Sequence, residues 1–185
     1  MIPDMTEHMN ENASLWVTRF LPLIKPGGSV LDLACGQGRH SIVLAAAGCR
    51  VTAVDRDAGS LARIEARGLG IVTRVADLEG GPWPFPGRRF DGVVVTHYLF
   101  RPLLPILLDS LEENGVLIYE TFMAGNERFG KPSNPAFLLR RDELLEAVLG
   151  KLTVVAFEQG QVAAPRPAVV QRLCATRALA PVLPA

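Results

Sequence analysis

The side chains of this sequence best suited to chemistry are acidic and histidine residues placed just behind short apolar runs. In "VLDLACGQGRHS" (30–41), Asp32 stands four residues before Gly36, and Gly38 follows two later. Glycines after a strand let the backbone approach a nucleotide-like ligand. A carboxylate at Asp32 repels a pyrophosphate and attracts a cation, so the turn suits a ligand with sulfonium or ammonium charge. Asp32 can also bond the amides of the loop that follows it, and the two roles are compatible. Asp55 closes "CRVTAVD", where it suits ribose hydroxyls. Asp77 closes "IVTRVAD", and Thr96-His97-Tyr98 close "FDGVVVTHYL".

Two common phosphate-binding patterns do not fit. A dinucleotide fingerprint needs G-x-G-x-x-G, and Gly36-Gln37-Gly38 is followed instead by Arg39, His40 and Ser41. A phosphate-cradling loop ending in Gly-Lys-Ser/Thr is missing. S-adenosylmethionine, which carries both a sulfonium and an ammonium, matches the charge that Asp32 calls for.

The elements that must position these residues alternate. Asn12 to Ile24 reads as a helix capped by Asn12 or Ser14, with Leu15, Phe20, Leu23 and Ile24 near one face. "SVLDL" is a buried strand, and Arg39 to Ala47 a helix closed by Gly48, its alanines at 45 to 47 suited to packing on a sheet. "CRVTAVD" is a second strand, Ala58 to Arg67 a helix closed by Gly68, and "IVTRVAD" a third strand. "GGPWPFPGRR" is a loop; "FDGVVVTHYL" is a strand, "LLPILLDSL" a helix and "GVLIYETF" a strand. After a loop from Met123 to about Leu138 come the helix "RDELLEAVLG" and the strands "LTVVAFEQ" and "AVVQRLCATRA". "AAPRPA" is too short for a helical crossover, so the last two strands are expected to be antiparallel neighbours. The pattern predicts a doubly wound α/β fold with a mostly parallel sheet and helices on both faces. Ligands of such sheets bind outside the carboxyl ends of the strands, where the polar residues gather here.

Composition narrows the partners. The 185 residues suit one domain, 1–185, with an N-terminal helical segment over 1–28. The chain is 49% hydrophobic and 21% charged, as in globular proteins. Nineteen basic residues balance nineteen acidic ones, whereas a nucleic-acid binder normally shows a basic excess. The pairs Arg88-Arg89 and Arg140-Arg141 read as solvated charges. Three scattered cysteines make no disulfide framework, and His8, His40 and His97 lie too far apart to suggest a metal site. With no signal-like N-terminus and no apolar run approaching the ~20 residues of a membrane span, a cytoplasmic location is expected.

Asp32-Leu33-Ala34-Cys35-Gly36-Gln37-Gly38 resembles the D/E-x-G-x-G-x-G motif of the class I (Rossmann-like) methyltransferases, with Ala34 in place of the first glycine. "LDLACGQGRHSIVLAAAGCRVTAVDRD" and "NPAFLLRRDELL" are similar to the small bacterial tellurite-resistance-type methyltransferases. The resemblance covers essentially the whole chain. It implies a seven-stranded sheet with an antiparallel last strand and S-adenosylmethionine as cofactor. Its implied binding set is Asp32, Ala34, Gly36, Gly38, Arg39, Asp55, Arg56, Asp77, Leu78 and Thr96. Within it Asp55 holds the ribose, Asp77 meets the adenine amino group, and the Leu78 backbone contacts the ring. His97 and Tyr98 fall where the family places residues near the transferable methyl.

Several roles stay open on the sequence. Arg39 either pairs with the cofactor carboxylate or points into solvent. His97 is a general base, a substrate-orienting donor, or a histidine satisfying a loop carbonyl. Tyr119, Glu120 and Thr121 are further candidates at the end of the fifth strand. Trp83 and Phe85 either shield the adenine or tether their loop, and Cys35 is read as a small packed side chain. The loop over 123–140 is long and rich in aromatics, as a substrate lid would be. The position after the fourth strand reads Thr-His-Tyr-Leu, not the Asn/Asp-Pro-Pro-aromatic motif of nucleic-acid amino-methyltransferases. A small-molecule acceptor such as a thiol or metalloid oxyanion is the expected partner. A nicotinamide-dependent oxidoreductase and a catalytically silent protein of the same fold are the competing readings.

Overall fold

A computed structural model of the chain describes residues 13–183. Seven strands form one sheet: β1 (Ser29–Leu33), β2 (Arg50–Asp55), β3 (Val72–Val75), β4 (Phe90–Thr96), β5 (Leu111–Phe122), β6 (Thr153–Val162) and β7 (Ala168–Thr176). Their order is β3-β2-β1-β4-β5-β7-β6. The first five strands run parallel, and β7 lies antiparallel between β5 and β6. The sequence pattern therefore anticipated both the parallel core and the final hairpin.

Among the described residues five α-helices accompany the strands: α1 (Leu15–Phe20) ahead of β1, then α2 (Arg39–Ala46), α3 (Ala58–Glu65), α4 (Leu103–Asp109) and α5 (Glu143–Val148). Two apolar layers result. One gathers Leu31, Leu33, Phe90 and Tyr119 under α4 and α5; the other packs Trp16, Phe20, Val30 and Ile118 beneath α1, α2 and α3. Strands buried on both faces read as near-continuous apolar runs, as β1 and β4 do apart from Asp32 and Asp91 and their polar end residues. At the edge, β3 leaves Val72 and Val75 largely exposed.

Two helical faces differ from expectation. Ser14, not Asn12, caps α1, its hydroxyl accepting from the amides of Trp16 and Val17; Asn12 lies outside the described residues. Leu15 is 84% exposed, while Trp16, Val17 and Phe20 are buried. The helix lasts only six residues before tightening into a 3-10 turn over Leu21–Leu23, so its orientation is set by Trp16, whose indole donates to the Leu173 carbonyl at 3.2 Å. In α2 the buried face carries His40, Ser41, Ile42 and Leu44. Ala45 packs against the layer beneath α1, α2 and α3 while Ala46 and Ala47 face outward, so only the first of the three alanines makes the expected contact.

Candidate functional site

The glycine turn is held by geometry that side chains resist. Ala34, Gly36 and Gly38 have φ of 52°, 54° and 75°, in the left-handed region. A Cβ on Gly38 would sit 2.5 Å from the Ile64 side chain, so this glycine brings the start of α2 against α3. One on Gly36 would meet no protein atom within 4 Å, leaving open space beside the turn for a ligand. Ala34 occupies the first glycine position of the motif with the same backbone sign, at a conformational cost of roughly 1 kcal/mol.

Asp55 connects the turn to β2. One carboxylate oxygen accepts the Gly36 amide at 2.8 Å and the other the Asp57 amide at 3.0 Å. Asp77 lies two residues past β3 and accepts the amides of Glu79 and Gly80 through one oxygen, bonds that hold its carboxyl below the usual range. Between these carboxylates and the end of β4 lies a cleft of about 400 Å³ lined by Ala34, Asp55, Arg56, Ala76, Asp77, Leu78, Glu79, His97, Tyr98 and Phe137. It sits at the carboxyl edge where the strand order reverses, β1 having β2 on one side and β4 on the other.

Asp32 stands behind this wall. It is buried and accepts the Ser41 hydroxyl at 2.5 Å. Burial outweighs that bond and raises its pKa to about 6. A cation brought to the turn would stabilise the ionised form. Cys35, also buried, has its thiol pushed well up by burial and by the Asp32 and Asp55 charges, which suits packing and not nucleophilic attack.

At the other end, His97 leaves β4 with φ of 54°, its ring stacked on Phe122 at 4.8 Å. Its Nδ1 lies 3.2 Å from an Arg39 guanidinium nitrogen. Burial first, then the Arg39 charge, lowers its pKa. The Tyr98 hydroxyl is buried and finds no hydrogen-bond partner among the described residues. Burial and the Glu79 charge keep that phenol protonated. An orphaned donor in a cleft fits a ligand able to accept from it.

Other residues prove to be supports. Tyr119 is buried and donates to the Tyr98 carbonyl at 2.9 Å. The Glu120 carbonyl accepts the His97 amide, and its carboxylate is bonded by Arg172. Trp83 donates to the Phe85 carbonyl and meets the Phe85 ring edge-on, tethering its own loop. His40 is not among the site residues that the motif suggests, yet it joins three segments: Nε2 accepts the Ser14 amide, and Nδ1 lies 3.2 Å from the Thr96 hydroxyl. Arg101 was also not foreseen. It donates to both Glu143 oxygens and to the carbonyls of Ala136 and Leu138, fixing the segment that carries Phe137. Only the spacing of "GRHS" hinted at His40, and nothing local hinted at Arg101.

Among the described residues no three His, Cys, Asp or Glu side chains form a metal-sized group, and no helix is long and apolar enough to cross a membrane. Residues 30–113 match the family model of a methyltransferase domain. The protein-L-isoaspartate O-methyltransferase of Chlorobaculum tepidum is 35% identical over 108 residues, 56% of this chain and 49% of that protein. The chain thus spans about half the length of this curated relative. The crystal structure of TehB from Haemophilus influenzae superposes with a TM-score of 0.74 at 21% identity, covering 88% of this chain and 61% of that one. Coclaurine N-methyltransferase, solved bound to N-methylheliamine and S-adenosylhomocysteine, gives 0.60 at 21%, covering 82% and 53%. The glycine turn at a topological switch point, in this strand order, gives the chain the fold of these methyltransferase structures.

Proposed function

We propose that this chain transfers the methyl group of S-adenosylmethionine to a small-molecule acceptor by in-line displacement. The observation that carries the reading is one cleft with Asp55 and Asp77 at one end and His97 and Tyr98 at the other. The cofactor supplies a methyl group already activated on positive sulfur, so the chain's task is alignment and exclusion of water. Asp55 holds the ribose and, through the Gly36 amide, the shape of the turn. Asp77 meets the adenine amino group, the Leu78 backbone lies along the ring, and Arg56 flanks the rim. Ala34, Gly36, Gly38 and Thr96 border the methionine end. Asp32 faces its positive charge through the turn, and Arg39 provides the cationic flank.

A cleft of about 400 Å³ suits a small ligand, as does the small-molecule ligand of the coclaurine enzyme structure. The balanced charge argues against a nucleic-acid substrate. The loop over 123–140 serves as the lid: Phe137 lines the cleft, and Arg101 holds its backbone. Thiols and metalloid oxyanions head the acceptor list. We assign the protein to the cytoplasm, which its free cysteines fit.

Calorimetric titration with S-adenosylhomocysteine and with NADH tests the cofactor; binding of NADH alone overturns the assignment in favour of an oxidoreductase. Incubation with labelled donor and a thiol, amine and oxyanion panel tests transfer. Cofactor binding without transfer to any acceptor favours a silent protein of the same fold.

A further inference from the structure

Two consecutive residues at the start of α2 reach into the sheet. Ser41 donates to Asp32 of β1, and His40 meets Thr96 of β4. Asp32 pairs with Val94, so Thr96, two residues beyond Val94, lies on the same face of the sheet as Asp32. Both contacts therefore dock the helix that leaves the glycine turn. The His40 ring is only 1% exposed, so its protein partners and not solvent decide which nitrogen carries the hydrogen.

At Nε2 the partner is the Ser14 backbone amide, 3.1 Å away. An amide N–H only donates, so Nε2 keeps its lone pair and the hydrogen sits on Nδ1. The Thr96 hydroxyl, 3.2 Å from Nδ1, then has to accept. Its own hydrogen is left to give, and no second partner for that hydroxyl is present among the described residues. Thr96 is half-buried and directly precedes His97, which lines the cleft. Burial, and then the Arg39 and His97 charges, push the His40 pKa down to about 3, so the ring keeps this neutral form at neutral pH. His97 takes the opposite form, because the Arg39 guanidinium at its Nδ1 has no lone pair to offer.

We propose that His40 is a positioning residue for the methionine end of the cofactor: it turns the Thr96 hydroxyl so that the lone pair meets the ring and the hydrogen is offered to the ligand. The inference rests on the methyltransferase reading above, in which Thr96 borders that end of S-adenosylmethionine. The carboxylate of the methionine portion accepts such a hydrogen, and the ammonium does not. With the other His40 tautomer, Thr96 would spend its hydrogen on the ring and meet the ligand with lone pairs only. The Ser14 amide forbids that tautomer. His40 does not itself line the cleft and acts only through Thr96.

The test begins with nitrogen NMR of the free protein labelled in histidine with ¹⁵N, at neutral pH. His40 should carry its proton on Nδ1 alone, with His97 the reverse; a proton on Nε2 of His40, or on both nitrogens, overturns the assignment. Two variants then divide the ring's contacts. His40→Asn keeps an N–H near the place of Nδ1 and loses the acceptor for Ser14, whereas His40→Gln keeps that acceptor and loses the donor to Thr96. Calorimetry compares S-adenosylhomocysteine with methylthioadenosine, which has the adenosine end and lacks the methionine end. Affinity for S-adenosylhomocysteine should fall about three- to tenfold in His40→Gln and in Thr96→Val, and stay within about twofold in His40→Asn. Affinity for methylthioadenosine should stay within about twofold in all three. Combining His40→Gln with Thr96→Val should weaken binding no further than Thr96→Val alone, since one residue acts through the other. Equal losses for the two ligands reveal a loosened fold and overturn the positioning role. Additive losses in the double variant, or an unchanged His40→Gln, overturn it too. A parent that binds neither ligand takes down the methyltransferase reading, and the inference with it, even where the tautomer is as expected.

Discussion

The two ends of the cleft are built on different principles. At the proposed adenosine end, carboxylates are fixed by backbone amides: Asp77 by those two and three residues on, and Asp55 by that of Asp57 and that of Gly36 from the β1 turn. At the other end, His97 is set by Arg39 and Phe122, and Tyr98 by Tyr119, all from other elements. Fixing by main-chain amides makes the proposed adenosine end a property of strand ends and turns. Fixing by side chains of other elements makes the proposed acceptor end a property of how the elements assemble.

The largest expected break of this contrast is Asp55→Ala. Removing a carboxylate that organises the turn should lower affinity for S-adenosylhomocysteine by about 100-fold, on the order of 2–3 kcal/mol for charge-assisted bonds. Calorimetry checks it, and unchanged affinity would contradict the site as described.

Asp32 comes next. Its folded pKa of about 6 lies above the ordinary 3.8, so its stability contribution is full below pH 4 and is lost as pH rises through 6. Asp32→Asn should thus stabilise the ligand-free protein at pH 7 by roughly 1–3 kcal/mol, read by denaturant unfolding, while weakening cofactor binding. In the parent, affinity for S-adenosylmethionine should fall as pH drops below 6. A pH-independent affinity between 5 and 8 would remove Asp32 from the binding argument.

At the proposed acceptor end, Arg101→Ala removes two hydrogen bonds to the carbonyls flanking Phe137 and two to the Glu143 carboxylate. Acceptor KM should rise about three- to tenfold, with S-adenosylhomocysteine affinity within about twofold, since the Phe137 segment and not the turn is loosened. Equal loss of both would show that the two ends are not separable. The smallest effect is expected at Ala34→Gly: relief of the left-handed φ, partly offset by the entropy of the added glycine, should stabilise by about 0.5 kcal/mol.

The same contrast governs what could be read from the chain. Asp32, Gly36, Gly38, Asp55 and Asp77 stand out because each follows a recognisable strand or turn. So does the final hairpin, whose connection is too short to cross the sheet. The tautomers of His40 and His97 and the clamp at Arg101 are invisible there, because their partners lie from 26 to 58 residues away. The misjudged faces of α1 and α2 share a cause: a helix of six or eight residues gives too little period to fix its rotation, and single anchors such as the Trp16 indole decide it.

The bond from Ser14 to His40 makes the seating of the first helix and the geometry at Thr96 parts of one mechanical linkage. Trp16, two residues on with its indole donating to the Leu173 carbonyl, is therefore an intrinsic fluorophore on the same helix as that linkage. Its emission should change when the turn closes on a ligand, giving an optical titration without any attached label.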